Sequence, residues 1–275
     1  KDQYSLEESK KRLLFDELLL LQLRFLIKKN NRSSIKLNVK FEKKKSYLKQ
    51  FLNNIPFSLT KSQIKVLEEI KSDLKGSNPM SRLLQGDVGS GKTIVAIASL
   101  IFTVENGFQG ALMVPTEVLA VQHFQNLVKY LSPLFISVEL LTGNTSQKKR
   151  KKILSDLSNG HINILVGTHA LFEDKVIFNS LGLVVIDEQH RFGVSQRNRL
   201  LRKGENTHLL SMTATPIPRT LALSIYGDLD VSKIDELPPG RFPVKTKIIE
   251  ENNLSELFKI VEKEINKGKQ VYVIL

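Results

Sequence analysis

The 275-residue sequence predicts an α/β domain: a parallel sheet flanked by helices. Three observations predict it. From Thr60 onward, short apolar runs alternate with longer stretches of helical spacing, the order that builds a parallel sheet with helices on both faces. The apolar runs, Leu181-Gly-Leu183-Val-Val-Ile186 for example, are of buried-strand type. A glycine-rich turn, Gly86-Asp87-Val88-Gly89-Ser90-Gly91-Lys92-Thr93, joins one such run to a helix start.

The elements follow in order. Ser5 and Glu8 form a capping-box pattern, and 6 to about 29 reads as one long amphipathic helix with Leu13, Leu14, Leu18, Leu21 and Phe25 recurring at three and four. Such an apolar helix needs a surface, on the α/β domain or on a preceding part. Residues 30–56 are basic, polar and weakly patterned, which reads as a connector. The domain proper then runs as helix 61–75, strand 82–85, helix 92–105, strand 110–114, helix 117–131, strand 136–141, helix 147–158, and strands 162–166, 182–187 and 207–212. Pro238-Pro239-Gly240 breaks the chain, and a new unit begins with strand 244–250, helix 254–267 and strand 270–275. Lys1 is no initiator and the last strand has no polar tail, so the expected organisation is a piece of a longer protein: an N-terminal helical segment (1–56), a complete domain (57–237) and the truncated start of a second (238–275).

The glycine turn carries the first chemistry. Gly86, four residues, then Gly91-Lys92-Thr93 is the spacing of a phosphate-binding P-loop, and its place between strand and helix is the required context. Glycines let backbone N–H groups curl around phosphates, the helix N-terminus adds a positive dipole end, Lys92 reaches the β/γ-phosphates, and Thr93 can ligate Mg²⁺. The plain alternative is a glycine turn that binds nothing. About a hundred residues on, Asp187 and Glu188 leave the end of a strand, where α/β sheets place ligands. As a Walker-B pair, Asp187 would hold Mg²⁺ and Glu188 would orient and deprotonate the attacking water. Read alone, the pair fits equally an acidic turn that caps the next helix. The expectation is that cradle and acids converge at neighbouring strand tips. Beyond a third strand, Thr213 and Thr215 could hydrogen-bond Gln189 or His190 and couple the site to the rest of the domain, or simply form a proline-stopped loop.

Composition bounds the partners. With 41 Lys+Arg against 28 Asp+Glu the net charge is +13, which favours a polyanionic partner, although a compositional bias toward lysine would give the same number. Residues 1–55 hold 14 basic and 6 acidic side chains, so much of the excess lies there. Lys43-Lys44-Lys45 and Lys148-Lys149-Arg150-Lys151-Lys152 are solvated faces or nucleic-acid patches. Zero cysteines exclude disulfides and thiolate sites, the five histidines lack zinc spacing, and Leu18 to Ile27 is too short to cross a bilayer. The chain reads as cytoplasmic, with no zinc and no membrane partner.

Six motifs carry a resemblance: GDVGSGKT, PTEVLAVQH (115–123), VGTHALF (166–172), DEQHRFG (187–193), TATPIPRTLA (213–222) and IDELPPGR (234–241). Together, in order over most of the central region, they resemble the first motor domain of the bacterial RecG family of superfamily-two DNA helicases. Mfd, the transcription-repair coupling factor, shares TATPIPRTL and a similar P-loop, but DEQHRFGV followed by IDELPPGR fits RecG better. The resemblance implies a RecA-like P-loop NTPase fold, ATP and Mg²⁺ as cofactors, and a monomer acting on branched duplex DNA, at stalled forks and Holliday junctions. It implies that Phe57 packs on adenine and Gln63 reads its edge. It also implies that Pro115, Thr116, Thr142, Gly143, Gly167, Thr168 and His169 hold the DNA backbone, where short hydroxyls and N–H groups position without reading sequence. Thr116 is equally a helix cap. Because the family's second motor domain supplies arginines across the cleft, this chain alone is expected to hydrolyse ATP very slowly. Three functions stand: a branched-DNA motor, an RNA helicase, and a non-catalytic lobe clamped by nucleotide.

Overall fold

The computed structural model describes residues 3–34, 36, 41, 46–188, 191–204, 207–215, 229–236, 238, 246, 248–250 and 253–274. The chain divides into two units, Lys1–Pro238 and Pro239–Leu275. In the first, seven strands form one sheet: β1 (Ser81–Gly86), β2 (Gln109–Met113), β3 (Val138–Leu141), β4 (Ile164–Gly167), β5 (Leu181–Ile186), β6 (His208–Thr213) and β7 (Asp230–Ile234). Their order is β3-β4-β2-β5-β6-β1-β7, and every pairing is parallel. All C-terminal strand ends therefore share one edge. The parallel α/β architecture is as the sequence predicts.

The helices are α1 (Gln3–Ser33), α2 (Tyr47–Asn54), α3 (Lys61–Leu74), α4 (Lys92–Glu105), α5 (Glu117–Leu131), α6 (Gln147–Ser158) and α7 (Val194–Leu201). Strand side chains alternate between two cores. Along β5, Leu183 and Val185 join the core under α2 to α5, while Val184 and Ile186 join the one under α6 and α7. Both faces are thus covered, which is why the strands read as unbroken apolar runs.

Helices α4, α5 and α6 begin and end where expected, and the starts of α4 and α5 are written locally. Gly91 takes a left-handed φ of 89° at the start of α4, and the Thr116 hydroxyl accepts the Leu119 N–H at the start of α5. Three elements of the first unit were not expected. The stretch read as a connector contains α2, whose Leu48 and Phe51 are buried on the core, and the Leu48 N–H donates to Glu105. Its lysine-rich flank had hidden that short apolar face. Helix α7 and edge strand β7 are additional, both short and polar enough to lack a clear period.

Most apolar side chains of α1 stay exposed, Leu13 at 66% and Leu18 at 53%, while Leu21 and Phe25 are half-buried. A Lys29–Asp230 ion pair of 2.7 Å ties its last turn to β7. The second unit contains α8 (Leu254–Ile265). Described residues 270–274 form no strand: Tyr272, Val273 and Ile274 are exposed, and an extended segment becomes a strand only with a ladder partner. Of the strand expected at 244–250, residues 246 and 248–250 are described and form no strand, and the others lie outside the described residues.

Candidate functional site

The glycine turn closes on itself between β1 and α4. Ser90 N–H donates to Asp87 O at 3.1 Å, and the Lys92 ammonium lies 2.7 Å from Gly86 O and 2.9 Å from Asp87 O, folded over the loop's concavity. Gly89 and Gly91 both have positive φ, 74° and 89°, so each needs glycine's freedom. A Cβ on Gly91 would also stand 2.2 Å from the Gln63 amide nitrogen. Gln63 is buried. Its Nε2 donates to Ser90 O at 2.8 Å and its Oε1 accepts the Thr60 N–H at 2.9 Å within a capping box. The glutamine thereby pins the phosphate loop to the start of α3. Phe57, by contrast, is exposed.

Asp187 and Glu188 leave the tip of β5. Asp187 N–H donates to Met113 O, and one carboxylate oxygen accepts the Glu188 N–H at 3.1 Å. The other lies 3.1 Å from His123 Nε2 on α5. Glu188 has a φ of 49°, a left-handed conformation that costs a non-glycine residue about 1–3 kcal/mol and clusters at functional sites. The expectation of neighbouring strand tips is not met: β6 runs between β5 and β1. At roughly 4.8 Å per strand the two tips are about 10 Å apart laterally, room for a phosphate chain and its ion between them.

The intervening strand ends in Thr213, buried, whose hydroxyl lies 2.8 Å from the Thr215 hydroxyl. Gln85, on β1 just before the glycine turn, donates to Thr215 O at 3.2 Å. The phosphate loop's own strand is thereby linked to the threonine turn, a connection through a residue that sequence reading passed over. Gln189 and His190, the expected partners of those threonines, lie outside the described residues, as do 216–228.

The remaining candidates come from the three strands on the other side of the sheet. Pro115 and Thr116 follow β2, Thr142 and Gly143 follow β3, and Gly167 with Thr168 and His169 end β4. Because β3, β4 and β2 are adjacent, these form one continuous stretch of the same edge. Thr116, Gly143 and His169 are exposed there, whereas Thr142, Gly167 and Thr168 are buried. Glu117 braces the stretch, accepting from both the backbone and side-chain nitrogens of Asn144. The His169 ring lies 5.9 Å from Phe172 and 5.6 Å from Phe192. In the basic run on α6, Arg150 pairs with Glu173 and Lys149 with Glu139, while Lys148, Lys151 and Lys152 face solvent. Of the residues missed in the sequence, His123 left the clearest trace: a polar residue within the buried stripe Ala120, His123, Leu127 and Leu131.

Among the described residues, no helix is long and apolar enough to cross a membrane. Residues 60–223 match the family model of DEAD/DEAH box helicases. RecG of Synechocystis sp. is 50% identical over 266 residues, 97% of this chain and 32% of that protein. RecG of Aquifex aeolicus is 51% identical over 269 residues, covering 96% and 34%, and RecG of Bacillus subtilis 45% over 270, covering 98% and 40%. A solved structure of RecG bound to a three-way DNA junction has a TM-score of 0.86 at 42% identity, covering 100% of this chain and 37% of that one. The DNA-bound helicase MrfA, 19% identical with a TM-score of 0.62 over 82% of this chain and 35% of that one, shares the fold. The chain thus spans 32 to 40% of the length of these curated relatives. On these grounds the chain belongs to the DEAD/DEAH box helicases and, among them, to the RecG group.

Proposed function

We propose that this chain carries the first motor domain, residues 57–237, of an ATP-dependent DNA helicase that acts on branched DNA. Its substrates would be stalled replication forks and Holliday junctions, remodelled by branch migration and fork reversal in repair and recombination. The observation that carries the reading is the shared edge: phosphate loop, threonine turn and acid pair at the tips of β1, β6 and β5, beside the candidate DNA contacts of β2, β4 and β3. Similarity to a RecG structure that holds a three-way junction supports the choice of substrate.

The residues suit the chemistry. Lys92 already sits over the concavity of its loop against two carbonyl acceptors, so phosphate oxygens would replace partners of the same kind. Among the described residues the buried Ser90 hydroxyl has no hydrogen-bond partner, and it lines the same turn. Loop N–H groups from Asp87 to Thr93 would wrap the phosphates, with the dipole of α4 behind them. Thr93 and Asp187 would hold Mg²⁺, which draws charge from the phosphate oxygens when bound. Glu188 would orient the water and take its proton, and Phe57 would pack on the adenine. Gln63 would brace the phosphate loop while presenting its remaining amide hydrogen toward the base.

On the other half of the edge, Thr116, Gly143 and His169 would meet DNA phosphates with their exposed groups, and Pro115, Thr142, Gly167 and Thr168 would shape the backbone between them. Gln85, Thr213 and Thr215, with Gln189 and His190, would couple the halves. A cytoplasmic monomer free of zinc completes the reading. Phosphate release by the full-length protein tests it. Forked DNA should stimulate hydrolysis more than linear duplex, and both more than RNA; equal stimulation by RNA overturns the choice of DNA.

A further inference from the structure

His123 lies where the two halves of the edge meet. It projects from the buried face of α5, the helix that begins at the candidate DNA contact Thr116, and reaches the carboxylate at the tip of β5. Strands β2 and β5 are adjacent, so the α5 start and Asp187 are the closest approach of the two groups of candidate residues along the sheet order. The histidine and aspartate side chains are 9% and 15% exposed, which makes this a largely desolvated contact.

We infer that His123 is a positioning residue that fixes the Asp187 carboxylate for the metal–nucleotide complex and ties that carboxylate to the DNA-side helix α5. The inference rests on the reading of Asp187 as a metal ligand. A carboxylate offers only acceptors, so the imidazole nitrogen that faces it, Nε2, is the donor. Among the described residues its other nitrogen, Nδ1, is buried with no partner, and Asp187 is the group the ring holds. With one oxygen on His123 and the other on the Glu188 N–H, the carboxylate is held at both ends, and each oxygen keeps a lone pair. Outer partners of this kind fix a ligand's orientation, and their loss typically weakens metal affinity or activity by about 10- to 100-fold. The same bond gives α5 a lever: a shift of the helix when its first turn engages DNA displaces His123 and with it the carboxylate.

Two substitutions in the full-length protein separate this from a packing role. His123→Gln keeps a donor near the Nε2 position, whereas His123→Leu keeps the volume without a donor. Mn²⁺ binding in the presence of a non-hydrolysable ATP analogue, followed by electron paramagnetic resonance, should weaken about tenfold or more in His123→Leu and stay within about threefold of the parent in His123→Gln. DNA-stimulated turnover should fall in the same order with DNA affinity little changed. Should His123→Leu not fold, as judged by its thermal transition, His123→Asn replaces it, its shorter amide falling short of Asp187. Equal Mn²⁺ affinity in the donor and non-donor variants overturns the inference. Because that readout needs no turnover, it decides the matter even if the parent shows no stimulation by DNA, a result that would sink the helicase reading instead.

Discussion

The two halves of the sheet's C-terminal edge are built differently. On the nucleotide half, β5, β6 and β1, side chains are locked before any ligand arrives: Gln63 clamps Ser90 and Thr60, Gln85 holds the threonine turn, and Asp187 is held at both oxygens. On the half that carries the candidate DNA contacts, β3, β4 and β2, the hydroxyls of Thr142 and Thr168 are buried, and what faces outward is mostly helix starts and backbone. A site that performs chemistry needs fixed donors and acceptors in one geometry, because misplacement directly raises the barrier. A surface that slides along a repeating phosphate chain needs contacts that do not depend on sequence, which backbone N–H groups supply.

That contrast can be broken in four ways, taken from the largest effect down. Glu188→Gln should lower DNA-stimulated turnover by about 10³-fold with nucleotide affinity kept, read by phosphate release and by binding of a fluorescent ATP analogue. A variant that still turns over briskly would leave only a nucleotide clamp. The opposite edge of the sheet supplies the second. His208, at the start of β6, is buried, accepts the Met80 N–H and packs edge-on to Phe41, and burial pushes its pKa down to about 4 from 6.5. The unfolded chain therefore binds more protons between those values. Its contribution is fully present above pH 6.5 and lost as pH falls toward 4, roughly 2 kcal/mol between pH 7 and pH 5. Denaturant unfolding at the two pH values checks it, and His208→Gln should flatten the difference.

The third lies on the DNA half. Gly143→Asp puts a negative charge on an exposed turn with room for a side chain, and should weaken DNA binding about tenfold at every sequence without changing nucleotide affinity. Fluorescence anisotropy on unrelated duplexes reads it. The smallest effect is the most discriminating. Thr142→Val removes a buried hydroxyl, so DNA affinity should stay within about twofold by the same assay. A large loss would mean that side chains, not backbone, grip the DNA.

The nucleotide half was the more legible in the sequence, for a physical reason. Glycines at Gly89 and Gly91, and acids just beyond an apolar strand, are local requirements of local chemistry, so spacing alone announces them. Helix ends at Lys92 and Glu117 were equally plain because each cap lies beside the helix it starts. Other features depend on residues far apart in the chain. The order that sets β6 between β1 and β5, the Gln85 bond to Thr215 across 130 residues, and the His123 bond to Asp187 across 64 have no local signature. Helix α2 was hidden by its surroundings: Leu48 and Phe51 are buried in the same core as α4, yet they sit among lysines and asparagines. For α1 the helix itself was legible, while most of its leucines are exposed among the described residues.

The account rests on cradle and acids acting as one centre on one phosphate chain, and a double-mutant cycle on DNA-stimulated hydrolysis tests that most directly. Lys92→Ala and Glu188→Gln, alone and together, should each cost about 10³-fold, and the double variant should be about as inactive as either single one, because groups that act as a unit are strongly non-additive. Losses that simply multiply, the double variant falling by the product of the two, would mean that the loop at β1 and the acids at β5 work independently, and the single-centre account would be wrong.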